Sequence, residues 1–187
     1  MKPLRSALLY AVLGLLVTAA HTQPIVRLLG APVGYWGVML AYWALASALG
    51  GHVHYRWGQA ADPVRWRFGL EYALALLASD LLFRITRTVF QGGWVGWGLG
   101  GFVGALALGR LLGLIFRRAP DTWAAAFRLG LWGGAGSLLA WAIGEGPGAW
   151  GLAMPWQLHE YGMRPLAAVA AGAVLGWGIG RLYGPRR

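Results

Sequence analysis

The chain has 187 residues, of which 58% are hydrophobic and only 12% charged, and its mean hydropathy is +0.54. Because an ordinary soluble domain is about 25% charged, this composition argues against a soluble fold and indicates a membrane protein. The net charge of +10 predicts contact with lipid headgroups and no nucleic-acid partner, since the basic residues are dispersed at segment ends and form no basic arm.

Six apolar segments occupy most of the chain, and a membrane-spanning helix needs about 20 apolar residues. The segments are Ser6–Ala20, Gly34–Gly50, Phe68–Ile85, Trp94–Phe116, Trp123–Ile143 and Arg164–Tyr183. The sequence therefore predicts an all-α fold with one domain over residues 1–187, a polytopic integral membrane bundle of six transmembrane helices. An alternative is that the first segment is a cleaved signal peptide ending near Thr18-Ala19-Ala20, which would leave five helices.

The arginines predict the orientation, because cytoplasmic connections carry the excess of Lys and Arg. Of the sixteen basic residues, twelve fall on one side: Lys2, Arg5, Arg56, Arg65, Arg67, Arg110, Arg117, Arg118, Arg128, Arg181, Arg186 and Arg187. The other four are Arg27, Arg84, Arg87 and Arg164. We therefore expect both termini in the cytoplasm and a multi-pass location in the cytoplasmic (inner) membrane of a prokaryote.

Two connections have features of their own. Residues 52–67 contain Trp57, Trp66 and three arginines, which predicts a cytoplasmic interfacial loop lying on the headgroups. Residues 144–162 contain apolar residues interrupted by prolines and glycines, which are too frequent for a spanning helix. This stretch is predicted to be an outer loop or lid.

Glycine is frequent, with 31 residues, and it recurs at helical spacing. Gly96, Gly100 and Gly104 lie four residues apart in one segment, and Gly172 and Gly176 repeat the spacing in the last. Such small-residue rows allow helix backbones to approach closely in a membrane. They predict a glycine zipper within the bundle, and a glycine-rich face is also a candidate surface for a membrane protein partner.

Asp80 is the most informative polar residue because it lies well inside an apolar segment. A carboxylate costs several kcal/mol there unless it is paired or hydrated, so such residues are functional candidates. Arg84 follows one helical turn later, on the same face, and an Asp80–Arg84 pair is expected. One hypothesis makes the pair the floor of an outward-facing ligand cavity, and the other makes it a structural ion pair.

Aromatic residues are concentrated on the predicted outer side, and aromatic rings can wall a pocket for flat or cationic ligands. His159, beside them, is interpreted as an interfacial residue hydrogen-bonded to backbone or water rather than as a metal or haem ligand. The candidate ligand-binding residues are Asp80, Arg84, Trp94, Trp150, Trp156 and His159. We predict no catalytic residue, no metal site and no cofactor, and cysteine-based chemistry is excluded because the chain has no cysteine.

The predicted plan combines six helices in under 200 residues, cytoplasmic termini and an aromatic outer half. In size and topology it is similar to the substrate-binding subunits of energy-coupling-factor vitamin transporters, and to six-helix cell-shape membrane subunits. The first resemblance implies a small-molecule-binding transporter subunit that needs a partner for energy, since the chain has no P-loop. The alternatives are a non-catalytic scaffold subunit of a larger membrane complex and a small lipid-handling or redox membrane enzyme with His159 or His21 in its site.

Overall fold

The computed structural model describes residues 3–20, 65–115 and 122–183. Their regular structure is entirely helical, which confirms the all-α prediction. The helices are α1 Pro3–Ala20, α2 Arg65–Val89, α3 Trp94–Ile115, α4 Trp123–Gly144, α5 Gly146–Ala149, α6 Trp156–Leu158 and α7 Arg164–Leu182. A π-helical turn, His159–Met163, joins α6 to α7.

Five of the six predicted segments correspond to α1, α2, α3, α4 and α7. The predicted segment at 34–50 lies outside the described residues, as does most of the predicted loop at 52–67. Within the described part of the chain, two helical stretches are long and apolar enough to cross a membrane, Trp94–Leu114 and Trp156–Leu182. The helix α2 is long enough to cross a membrane but does not meet the criterion of an apolar stretch, because Glu71, Asp80 and other charged residues interrupt its apolar run.

The five long helices form a series of antiparallel neighbours in the order α2, α3, α4, α7 and α1. Each pair is held by close contacts, such as those of Gly104 on α3 with Ser79 on α2 and of Gly176 on α7 with Ser6 on α1. The end of α2, the start of α3, the end of α4 and the start of α7 therefore lie at one end of the bundle. We call this the distal end, and we call the opposite end, where α1 begins and α7 stops, the proximal end.

Glycines set how closely these helices approach. A Cβ atom built on Gly104 would lie 2.7 Å from the carbonyl oxygen of Ser79, and one built on Gly176 would lie 2.5 Å from that of Ser6. Real Cβ atoms do not come so close, so only glycine permits the observed packing at these positions. The buried interior that results contains Tyr10, Leu13, Tyr72, Leu108, Leu129, Ile179 and Tyr183.

Two hydroxyl groups donate hydrogen bonds to the backbone of α3, one from α2 and one from the residue that follows α7. Ser79 Oγ donates a hydrogen bond to the carbonyl oxygen of Gly104 at 2.8 Å, and Tyr183 Oη donates one to that of Gly109 at 2.9 Å. Glycine leaves these carbonyl groups unshielded by a side chain. The glycines that bring the backbones together therefore also supply carbonyl groups that accept inter-helix hydrogen bonds.

The connection between α4 and α7 is more ordered than the sequence suggested, since α5, α6 and the π-helical turn occupy much of it. The last helix is predicted to start at Arg164. Pro165, which follows, has no N–H group and favours the first turn of a helix. In the structure the helical path begins at Trp156. The backbone N–H of Arg164 bonds to His159 O in the wider π pattern, so the chain remains helical up to the proline ring.

Candidate functional site

The outward faces of the helices are apolar, which is the opposite of a soluble bundle. Exposed large apolar side chains form stripes on three helices, where they recur every three or four residues on α1 and α2 and four and seven residues apart on α4. The stripes are Leu4, Leu8, Val12 and Leu15 on α1, Leu74, Leu77, Leu81 and Ile85 on α2, and Phe127, Leu131 and Leu138 on α4. Glycines make the close contacts between helices, while leucines occupy both the interior and the outward stripes. Small residues at helix contacts are typical of packing in a membrane.

Asp80 and Arg84 form the predicted pair on α2. Arg84 Nε donates to Asp80 Oδ2 at 2.7 Å, and the side chains are 48% exposed for Arg84 and 32% exposed for Asp80. Asp80 precedes the end of α2 at Val89 by nine residues, or about 13 Å along the helix axis. The pair therefore lies in the distal half of the bundle, partly open to the surroundings.

A cation and two aromatic rings lie nearer the distal end, where α2 turns into α3. The guanidinium carbon of Arg87 is 4.2 Å from the ring centroid of Trp97, and the Phe83 ring meets Trp97 edge-on at 5.6 Å. The turn itself uses Gln91 and Gly92, both with positive φ. Stacking of this kind contributes about 0.5–2 kcal/mol and orders the distal end of α2.

Two aromatic pairs mark the connection between α4 and α7. The Trp141 and Trp150 rings meet edge-on with centroids 6.1 Å apart, and Trp156 meets Tyr161 in the same way at 5.7 Å. Trp150 and Trp156 are nevertheless 64% and 50% exposed. Each exposed indole is thus held by a neighbouring ring and presents its free face at the distal end.

The polar groups of the same connection lie in the π-helical turn. His159 Nε2 is 2.9 Å from the carbonyl oxygen of Gly144, so Nε2 carries the proton and joins the turn to the end of α4. Arg164 Nη1 donates to Glu160 Oε2 at 2.7 Å. The Glu160 side chain is only 7% exposed whereas that of Arg164 is 48% exposed. The Glu160 carboxylate is therefore buried, whereas the Arg164 guanidinium that donates to it is half exposed.

Trp94 is separate from both groups. It begins α3 and lies at the mouth of an apolar groove between α3 and α4, 61% exposed. The described contacts thus assign the six candidate residues to three places: Asp80 with Arg84 on α2, Trp94 at the groove, and Trp150, Trp156 and His159 in the α4–α7 connection. All three are in the distal half, and the ligand-binding role of these residues stays a prediction.

Sequence reasoning missed several residues of the distal end. Glu160 is not singled out from the sequence, and its partner Arg164 is treated there only as a topological charge, although the i,i+4 spacing signals the pair as clearly as it does for Asp80 and Arg84. The stack of Arg87 on Trp97 joins two helices. Such a contact follows from tertiary packing and leaves no pattern in the sequence.

No known family model matches the chain, and no curated protein or solved structure matches it either. Among the described residues, no three of the His, Asp and Glu side chains lie together in a group suited to a metal ion. The functional interpretation therefore rests on the chemistry of the distal end and of the exposed helix faces.

Proposed function

We propose that the protein is an integral membrane protein that crosses the inner membrane of a prokaryote six times, with both termini in the cytoplasm. The exposed apolar stripes of α1, α2 and α4 support this proposal, because each extends over about three turns of its helix. In this orientation the distal end faces outward. The proximal end then carries Arg5, Arg110, Arg128 and Arg181 on four helices, in agreement with the excess of positive charge on cytoplasmic sides.

We further propose that the distal end binds a small molecule and that the protein is the binding subunit of a membrane transporter. The observation that carries this proposal is the α4–α7 connection, which holds two exposed tryptophans, each against a partner ring, and the π-helical turn of His159 and Glu160. Turns of π-helix occur frequently at functional sites. Exposed indoles in the connection that also holds an Arg–Glu pair suit a flat or charged ligand.

Transport against a gradient needs energy from a partner subunit under this proposal. In the described residues the glycine rows contact the chain's own helices, as Gly100 contacts Phe83 and Gly178 contacts Trp132. We therefore place a partner on the large exposed side chains, such as the stripe of α1, rather than on the glycine faces that the sequence suggested. Closely packed glycines would in that case serve the internal packing of the bundle.

The test is native mass spectrometry of the protein extracted gently from its own membranes. The proposal predicts a retained small molecule on the wild type and its loss from Trp156→Ala, while Trp123→Ala keeps it. Trp123 is a matched control because it is also exposed but lies at the proximal end. Retention by both variants, or a wild type without any retained small molecule, would refute a ligand site in the α4–α7 connection.

A second candidate function is a non-catalytic scaffold subunit, and the geometry of Asp80 favours it. The Asp80 carboxylate is already paired with Arg84 on its own helix, so it needs no ligand for compensation. A scaffold predicts that extraction recovers a stoichiometric protein partner without a small molecule. It also predicts that Leu8→Ala or Val12→Ala on the exposed face of α1 weakens that complex, whereas Trp156→Ala does not.

A further inference from the structure

An apolar groove runs along the exposed seam between α3 and α4. Its volume is about 520 Å³, and no charged side chain lines it. Leu99 and Phe102 on α3 and Leu131 and Leu138 on α4 form its walls. The groove therefore runs lengthwise along the outer surface of the bundle. The exposed apolar stripes of α1, α2 and α4 indicate that this surface faces hydrocarbon.

The groove is open because the residues at its bottom, glycine and alanine, have small side chains or none. Gly98 and Gly134 form its floor, and a Cβ atom built on Gly134 would lie 3.2 Å from the carbonyl oxygen of Gly98, so the two backbones touch there. Ala135 adds only a methyl group to the lining. The proximal end of the groove lies against Phe102, whose ring meets that of Phe127 edge-on with centroids 5.3 Å apart.

We propose that this groove binds one acyl chain of a phospholipid from the leaflet at the distal end. The inference rests on the proposed membrane location. Along α3 the groove extends from Trp94 to Phe102, eight residues or about 12 Å. One leaflet contributes half of a hydrocarbon core that is about 30 Å thick, or about 15 Å. The groove thus has the length of an acyl chain that enters from the distal surface and stops near the bilayer midplane.

The rim of the groove distinguishes an acyl chain from the helix of a partner protein. A helix with its side chains is about 10–12 Å wide, and close packing between membrane helices uses small residues on both partners. Here the small residues lie at the bottom, while the side chain of Leu131 stands at the rim and is 54% exposed. A flexible polymethylene chain can pass between such rims and reach the glycine floor.

Trp94 supplies the polar boundary of the site. It is exposed at the distal mouth of the groove, where α3 begins. Tryptophan favours the headgroup level of a bilayer because its indole is amphipathic. The lipid headgroup accordingly lies at the level of Trp94, with the chain below it between the leucine walls.

The test uses purified protein in phosphatidylcholine vesicles containing a phosphatidylcholine with a diazirine on its acyl chain, with cross-links mapped by mass spectrometry. We expect severalfold more labelling on the α3 and α4 peptides that line the groove than on the exposed face of α1. Ala135→Trp fills the groove and reduces its labelling to the α1 level. Leu139→Trp, on the same helix but not in the groove lining, leaves the labelling unchanged.

The outcomes separate this inference from the proposed function. Equal labelling of all exposed helix faces would reject the groove site and keep the membrane location. Failure of the protein to enter the vesicles, with no labelling of any helix, would reject both. Protein–protein cross-links at Leu131 in native membranes, in place of lipid cross-links, would show that a partner helix fills the groove. If Ala135→Trp does not fold, Ala135→Leu should still lower the groove labelling.

Discussion

The contact between α1 and α7 gives the sharpest prediction, because it is made backbone to backbone. A Cβ atom built on Gly172 would overlap the carbonyl oxygen of Tyr10 and lie 2.8 Å from its carbonyl carbon and 3.2 Å from the nitrogen of Ala11. No flexible side chain can move aside to relieve these contacts. Gly172→Ala must therefore push the two helices apart.

The size of the effect follows from these distances. Ordinary van der Waals contact begins near 3.4 Å, so the carbonyl carbon at 2.8 Å alone requires a separation of about 0.6 Å, and the overlapping carbonyl oxygen requires more. A gap of about 0.5–1 Å already removes a quarter to a half of the dispersion energy of the atoms across it. Neighbouring contacts, such as that of Gly176 with Ser6, then loosen as well. We expect a loss of about 2 kcal/mol in the free energy of unfolding, within the usual range for overpacking.

Gly144→Ala is the matched control. Its Cβ atom would lie 3.6 Å from that of Ala167, an ordinary contact. Both variants replace glycine by alanine in a helix, and the gain of up to about 1 kcal/mol from helix propensity is larger at Gly172, inside its helix, than at Gly144, the last residue of α4. A lower stability of Gly172→Ala than of Gly144→Ala therefore reports the α1–α7 contact. The assay is reversible unfolding by SDS of the detergent-solubilised protein, followed by circular dichroism. Equal unfolding free energies for the two variants would refute the close approach of α1 and α7.

Three further changes test individual contacts in the same unfolding assay. Arg164→Gln leaves the buried Glu160 carboxylate unpaired and should lower the free energy of unfolding by about 1–3 kcal/mol, less than in a fully buried pair because Arg164 is half exposed. Adding Glu160→Gln should restore part of that stability, and independent effects of the two substitutions would contradict the pair. Arg87→Ala should cost about 0.5–1 kcal/mol through its stack on Trp97, with no effect expected in a Trp97→Leu background. Thr122→Ala removes the N-cap bond of α4 and should cost about 1 kcal/mol, whereas Thr122→Ser should be nearly neutral.

The positions of α3 and α4 could be predicted because each is a long apolar run bounded by glycine, proline or arginine. The predicted segment Trp94–Phe116 differs from the observed helix by one residue, and Trp123–Ile143 also differs by one. The Asp80–Arg84 pair could be predicted because two side chains at i and i+4 meet on any helix. Local rules of this kind hold whatever the rest of the chain does.

The spatial order of the helices and the groove could not be predicted from these patterns. The glycine rows indicate that helices approach closely but not which helices pair, and α7 pairs with α1, its most distant helix in sequence. The π-helical turn could not be predicted either, because it has no sequence pattern of its own, and His159 within it bonds to Gly144, which lies 15 residues away. Both features arise from contacts between residues far apart in the chain.

Cysteine accessibility in intact cells tests the central claim, a six-span bundle with its distal end outward, most directly. The chain has no cysteine, so single cysteines can be introduced without a background. Gly93 and Gly148 are suitable distal positions, because a Cβ atom there meets nothing within 4 Å; Arg187 reports the C-terminus and Asp62 the predicted cytoplasmic loop. We expect a membrane-impermeant maleimide to label Gly93→Cys and Gly148→Cys in intact cells, and Asp62→Cys and Arg187→Cys only after permeabilisation. Labelling of distal and C-terminal cysteines from the same side of the membrane would contradict the proposed topology.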